Sequence, residues 1–192
     1  STVAFDTETT GIEAMSAEMV GMSFAVEGGR AWYVAVPENQ AEAQEFVDAF
    51  RPFFENEGQI KVGQNLKYDL TILSHYGVEV KGELFDTMLA HYVVEPEQRH
   101  NMDHLAETYL HYRTIHIEEL IGTGRQQKNM RDLAPSEICD YACEDADVTL
   151  RLYPILREKM AECDVTDVFS KIEMPLLPVL ARIEQNGVRL DT

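Results

Sequence analysis

The sequence predicts an α/β domain in which a mixed β-sheet is flanked by helices. Three β-prone runs open the chain, at residues 2–7, 19–27 and 31–36. A stretch of helical periodicity then precedes a fourth apolar run at 60–63. A helix between two strands of one sheet implies a crossover with parallel pairing. A second, longer helical pattern fills residues 135–160.

The 192 residues fit one domain, with room for an extra element at one end. No run of about 18 apolar residues exists, so no membrane span is expected. The chain enters a strand from Ser1-Thr2, without the basic-then-apolar pattern of a signal peptide. Cys139, Cys143 and Cys163 form no CxxC pair and read as reduced thiols, the first two buried one helical turn apart. The net charge of −18 argues, taken alone, against a nucleic-acid binder. It is compatible with a chain whose acids hold metal while another domain supplies the basic grip.

The first strand ends in Asp6-Thr7-Glu8, and residues two apart on a strand face the same way. Asp6 and Glu8 would repel strongly unless a cation lay between them. Mg²⁺ and Mn²⁺ suit such oxygens. Gly28-Gly29 joins the second and third strands as a hairpin, and Pro37 closes the third. Ala43, Phe46, Val47, Phe50 and Phe53/Phe54 give residues 40–56 their helical stripe. The fourth strand runs into a helix with Asn65 as N-cap and Leu66, Leu70 and Leu73 as its apolar stripe. Asp69 lies within that stripe, where an ionised carboxylate is costly unless it has a partner.

Asp86 reads as the N-cap of a helix beginning near Thr87, and residues 102–112 as a further amphipathic helix. His100 and His104 have i, i+4 spacing but no third ligand, so no zinc site is expected. Residues 122–131 are a polar loop carrying Arg125, Lys128 and Arg131, compatible with meeting phosphates. On the helix at 135–160, Ile138, Tyr141, Ala142, Asp145, Val148, Thr149 and Leu152 fall on one side. Asp140, Glu144, Asp147 and Arg151 fall on the other. The wheel thus turns Asp145 inward with Tyr141 one turn before it, and Glu144 and Asp147 to solvent. A last helical stretch at 165–187 holds Pro175 and Pro178 and ends at Asn186-Gly187. Val188 to Thr192 come after it without a closing signal.

Three segments carry a resemblance. Phe5-Asp6-Thr7-Glu8-Thr9-Thr10-Gly11, Asn65-Leu66-Lys67-Tyr68-Asp69 and Tyr141-Ala142-Cys143-Glu144-Asp145 resemble, in order, the three motifs of the DEDD exonucleases. The Tyr-x-x-x-Asp spacing resembles the tyrosine subclass, DEDDy. Phe85 to Ala90, Arg99 to Asp103 and Glu144 to Thr149 extend the likeness to the proofreading domain of bacterial family A DNA polymerases. Ile183 to Val188 resemble the junction that leads into the polymerase domain.

The resemblance implies a ribonuclease H-like fold with about five strands. It implies an exonuclease domain over 1–163, with 164–192 as the C-terminal helix and start of the junction. It further implies two divalent ions, Mg²⁺ or Mn²⁺. Asp6, Glu8 and Asp145 would hold one, and Asp6 with Asp69 the other. Tyr141 with Glu8 would orient the attacking water, and a 5′-mononucleotide would leave a DNA 3′ end. Thr7, Ile12, Gln64, Asn65, Tyr68, Arg99, His100 and Ile117 would line the substrate site. Ile12 would press on a terminal base, while Ile117 stands where relatives can place an aromatic, so base stacking there is weaker. The implied setting is a monomeric unit in the bacterial cytoplasm at the nucleoid. Its partners would be a frayed or single-stranded 3′ end and the polymerase domain of the same full-length chain.

Two other readings share parts of this signature. An RNase D-like 3′ exoribonuclease has the same Tyr-x-x-x-Asp spacing, but Pro175, Pro178 and the Asn186-Gly187 tail count against it. A catalytically silent scaffold is the other, and all four carboxylates count against that.

Overall fold

The computed structural model describes residues 1–189. Five strands form one mixed sheet in the order β3-β2-β1-β4-β5. At its centre, β1 (Thr2–Thr9) buries Val3, Ala4 and Phe5, the near-continuous apolar run that a strand covered on both faces requires. β2 (Met19–Glu27) pairs antiparallel with β1, and β3 (Arg30–Ala35) antiparallel with β2. On the other side, β4 (Ile60–Gly63) and β5 (Leu84–Asp86) continue in parallel. The residue pattern predicts the helix after Asp86 but names no strand leading into it. With three residues, β5 is too short to show a period.

One face of the sheet packs on α1 (Gln40–Phe54), which Asn39 caps through Ala41 N and Glu42 N. Phe24 stacks on Phe50 at 5.0 Å, and Phe5 meets Phe54 edge-on at 5.3 Å. Each such buried ring contributes on the order of 1.5–3 kcal/mol. The opposite face packs on α6 (Pro135–Glu162), which buries Ile138, Ala142, Asp145, Val148, Thr149 and Leu152, the side that its helical wheel picks out.

The expected cap at Asn65 is corrected. Asn65 is left-handed (φ 62°, ψ 47°), and its side chain caps nothing on α2 (Leu66–Ser74). Asp86 does that work from the end of β5. Its Oδ1 accepts from Asn65 N at 3.2 Å and its Oδ2 from Leu66 N at 2.8 Å. The same Oδ1 caps α3 (Thr87–Val94) through Met88 N at 2.8 Å and Leu89 N at 3.3 Å. One buried carboxylate therefore ties two helix starts to one strand end.

The helix expected at 102–112 begins as α4 (Met102–Leu105) and loosens into a π-turn, Ala106–Leu110, closed by left-handed His111. α5 (Ile117–Ile121) leads into the polar loop, which contains 3₁₀ turns at Gly124–Gln126 and Met130–Asp132. Arg131 does not face phosphates there. Its guanidinium donates to Val36 O at 2.6 Å and Met19 O at 2.5 Å, fixing the loop to the sheet.

Glu144 and Asp147 are also corrected, since neither is merely solvated. Glu144 accepts from the Tyr112 hydroxyl and from Ile115 N, both at 2.6 Å, and Asp147 accepts from Gly29 N at 2.6 Å. Cys139 and Cys143 are half-buried, not buried, with their sulfurs 4.0 Å apart.

The C-terminal stretch runs through α7 (Thr166–Val168), a π-turn at Phe169–Glu173 and α8 (Met174–Asn186). Pro175 sits in the first turn of α8, and Pro178 lies inside it. Phe169, Met174 and Leu177 join the same core as β1 and α6. Residues 190–192 of the proposed junction lie outside the described residues.

Candidate active site

β1 carries the site at the point where its backbone changes partners. β4 pairs with β1 only as far as Ala4, opposite Val62. Past that point the Thr7 N–H turns to α2, where Asp69 Oδ1 accepts it at 3.1 Å. The Thr7 hydroxyl donates to the same oxygen at 2.5 Å. On the other edge, the β1–β2 register slips between Glu8 and Thr9. A bulge of this kind bends the strand and re-aims the residues beyond it. Just before it, Asp6 stands opposite Ser23 and Glu8 opposite Gly21. Both acids face α6, which brings in Asp145.

One oxygen each from Asp6, Glu8 and Asp145 lie within 4.8 Å of one another. A hard divalent cation binds oxygens at about 2.0–2.6 Å, so three ligands around one ion sit at roughly this spacing. Glu8 Oε1 is buried and has no hydrogen-bond partner among the described residues. An orphaned carboxylate oxygen is costly, and a cation in the cluster relieves it. The residues present therefore fit a divalent metal.

The electrostatics agree with the geometry. Burial pushes the Asp6 carboxyl up to about 7, against the Thr7 backbone hydrogen bond that lowers it. Glu8 is held well above the carboxylate range by burial and then by Asp6, Asp145 and Asp69. Burial and then Asp6 raise Asp69, opposed by Thr7. Burial and then Asp6 raise Asp145 too, opposed by the Tyr141 phenol. Burial, followed by Asp145, Glu8 and Asp6, pushes the Tyr141 phenol upward, so it stays protonated and available as a donor. Tyr33 lies alongside Glu8 by covering Gly21, where an added Cβ would stand 2.3 Å from its ring.

A cleft of about 720 Å³ opens beside the acids. Thr9, Thr10, Gly11, Ile12, Asn65 and Tyr68 form one wall. Ile117, Ile121 and Gln127 to Met130 form the other. Ile12 is 90% exposed, an aliphatic side chain held out in the open. The Tyr68 hydroxyl lies 2.5 Å from that of Thr9 and also donates to Gly11 O, which fixes the turn behind Ile12.

The structure thus gathers Asp6, Glu8, Asp69, Tyr141 and Asp145 around one point, with Ile12, Asn65, Tyr68 and Ile117 on the adjoining cleft. Other expected contacts are placed differently. Thr7 is buried and holds Asp69. The Gln64 amide donates to His100 O at 2.7 Å and accepts from the Thr87 hydroxyl. The His100 ring nitrogen lies 2.7 Å from that of buried His91. Arg99 is exposed and outside the residues that line the cleft. The motifs assign no site role to Lys128 or Asn129. Only folding carries their loop to the cleft, and the local signal is one polar run.

Comparison with known proteins identifies the family. The 3′-5′ exonuclease family matches residues 1–161. DNA polymerase I of Pseudomonas aeruginosa is 44% identical over 98% of this chain and 22% of the relative. DNA polymerase I of Rhizobium leguminosarum is 37% identical over 98% of the chain and 21% of the relative. The chain spans about a fifth of the length of these relatives. Among solved structures, the POL domain of Pol1 from M. smegmatis, in complex with DNA primer-template and dNTP, gives a TM-score of 0.76 at 23% identity. That match covers 98% of this chain and 29% of the other. Brucella melitensis NrnC gives 0.78 at 19% identity, covering 97% and 85%, and supports the ribonuclease H-like fold. The carboxylate cluster on β1, α2 and α6 and the match over residues 1–161 lead to one conclusion: the chain belongs to the 3′-5′ exonuclease family, as an exonuclease domain homologous to that of DNA polymerase I.

Proposed function

We propose that this domain is a metal-dependent 3′–5′ exodeoxyribonuclease, the proofreading module of a family A DNA polymerase in replication and repair. The observation that carries the reading is the set of three carboxylate oxygens within 4.8 Å, one of them on the otherwise unpartnered Glu8. Asp6, Glu8 and Asp145 would hold one divalent ion, and Asp6 with Asp69 a second, both Mg²⁺ or Mn²⁺. Bound as a pair, such ions would supply Lewis-acid stabilisation of the attacking and leaving oxygens of an in-line phosphodiester displacement. Thr7 keeps Asp69 turned toward Asp6 through its two hydrogen bonds. Tyr141, protonated throughout the working pH range, donates to the attacking water while Glu8 accepts from it, so the lone pair points at the phosphorus. The terminal nucleotide lies in the cleft between Ile12 and Ile117, with Asn65 and Tyr68 along the wall, and leaves as a 5′-mononucleotide.

The same reading gives the setting. The substrate is a single-stranded or frayed DNA 3′ end. Residues 1–163 form the exonuclease unit, and 164–192 the helix and junction toward the polymerase domain of a longer chain. The domain works as a monomer in the bacterial cytoplasm, at the nucleoid.

The test uses 5′-labelled single-stranded DNA with Mg²⁺ or Mn²⁺, beside a matched RNA. A chelator-sensitive ladder shortening from the 3′ end is expected, faster on DNA. Asp6→Ala and Asp145→Ala each lower the rate by at least ~10³-fold, on the order of 4 kcal/mol. Preferential trimming of RNA, or activity that survives either substitution, overturns the reading.

A further inference from the structure

Among the described residues, Lys128 is the one cationic side chain on the walls of the cleft. The chain carries a net charge of −18, and the acids of the site stand beside this cleft. A strand that brings one negative charge per nucleotide needs positive charge near its path. Of the loop's other cations, Arg125 is exposed, has no ion pair among the described residues and does not line the cleft. Arg131 donates to Val36 O and Met19 O, and Lys67 pairs with Glu184 at 2.6 Å. The Lys61 ammonium is closed in by Asn56 O and Lys81 O. Lys128 makes no ion pair or side-chain hydrogen bond among the described residues.

The backbone under Lys128 is pinned on both sides, unlike that of a free surface lysine. Lys128 N donates to Ile121 O at 2.8 Å. The next residue, Asn129, donates from its amide to Thr10 O at 2.8 Å, joining this wall to the strand end beyond Glu8. Asn129 also accepts from Arg131 N at 2.8 Å, and its own N–H donates to Asp132 at 2.9 Å. The polar loop is thus a fixed wall, and it holds the stem of Lys128 opposite Ile12, Asn65 and Tyr68.

We propose that Lys128 is a substrate-binding residue of the exonuclease site, whose ammonium holds a non-scissile phosphate of the 3′-terminal strand so that the last nucleotide seats between Ile12 and Ile117. This rests on the exonuclease reading. A lysine suits the task because a compact charge on a flexible stem binds phosphate without reading sequence. Lys128 touches neither the carboxylates nor the attacking water, so it acts on binding and leaves the chemical step alone.

The test compares wild type with Lys128→Ala, Lys128→Arg and Lys128→Glu on a 5′-fluorescein oligodeoxynucleotide. Lys128→Ala is expected to raise KM about 5- to 10-fold with kcat changed less than about 2-fold. It should also reduce the slope of log binding constant against log salt by about 0.7, the value for one phosphate on a single strand. Lys128→Arg restores both values, and Lys128→Glu lowers affinity further. Mn²⁺ binding without DNA is the same in all four proteins. A neutral methylphosphonate, walked one linkage at a time from the 3′ end, weakens wild type at one linkage where it leaves Lys128→Ala unaffected.

An unchanged KM and salt slope in Lys128→Ala overturns the proposal, as does a methylphosphonate effect equal in both proteins at every linkage. Binding is measured by anisotropy with Ca²⁺ in place of the working metal, so this arm does not depend on turnover. If wild type trims no DNA, the exonuclease reading fails, while the Ca²⁺ arm still decides whether Lys128 meets a phosphate.

Discussion

Asp6 is held near pH 7 by burial, and that makes the metal-free site a source of strain at neutral pH. Its folded pKa lies above its unfolded one, so the folded state binds more protons between about 4 and 7. Its contribution to stability is full below that window and is lost as pH rises through it. Asp6→Asn removes the strain, so the metal-free variant is expected to melt roughly 3 °C or more above wild type at pH 7.5, and level with it near pH 4. Mn²⁺ should raise the melting temperature of wild type at pH 7.5 and leave that of the variant unmoved. Scanning calorimetry with and without chelator checks both; equal melting temperatures at pH 7.5 would mean that burial does not strain the Asp6 carboxylate. Both proteins must be compared at one pH, because buried His91 titrates in the opposite sense. Burial, His100 and His104 lower it to about 4, so its contribution is full above about 6.5 and is lost as pH falls toward 4. Tyr141 makes a second prediction at this scale. As a donor to water with no metal to hold, Tyr141→Phe should lower kcat about 10²-fold and leave Mn²⁺ affinity unchanged. A fall in Mn²⁺ affinity of similar size, read by titration, would make the phenol a support for the metal ligands.

Among the elements, Asp86 joins β5, α2 and α3 through four backbone N–H groups. Asp86→Ala leaves all four without that acceptor and is expected to destabilise the fold by about 2–4 kcal/mol, two caps' worth. Asp86→Asn keeps one acceptor oxygen and should lose about half as much. Urea unfolding checks the pair, and equal losses would place the effect in the charge instead of the caps. Asp86 also shows where a local pattern stops being informative. Its cap on α3 is legible from Asp86-Thr87. Its cap on α2 spans 20 residues and is not, so the pattern alone assigns that cap to Asn65. Where a regular period persists, as along α6, the wheel separates Asp145 from Glu144 and Asp147 correctly. It cannot show what lies outside the helix, and there Glu144 holds the Tyr112–Ile115 turn and Asp147 the β2–β3 hairpin. The first and third motifs mark residues that the fold brings together, because strand and helix periods fix their faces. Lys128 and Asn129 sit on a loop with no period, so their place on the cleft depends on contacts the local sequence does not encode.

Across the whole molecule, the segment after Cys163 joins an energetic question to a functional one. The proposed boundary at 163/164 separates an exonuclease unit from a junction, yet Phe169, Met174 and Leu177 are buried in the main core. The Phe169 ring lies 5.0 Å from that of Phe85 on β5, and Glu184 on α8 pairs with Lys67 on α2. Both contacts brace the elements that carry Asp86 and Asp69. Phe169→Ala is therefore expected to cost about 3–5 kcal/mol by leaving a cavity against Phe85. Ile183→Ser, on the 53% exposed outer side of α8, should change stability by no more than about 0.5 kcal/mol. Thermal and urea melts of the two variants decide the matter. If Phe169→Ala melts with wild type, residues 164–186 are an appendage and the functional boundary is also a folding boundary. If it falls as expected while Ile183→Ser does not, the exonuclease site is built on a core that the junction helix helps to close, and a chain cut after Cys163 would lose metal binding along with its fold.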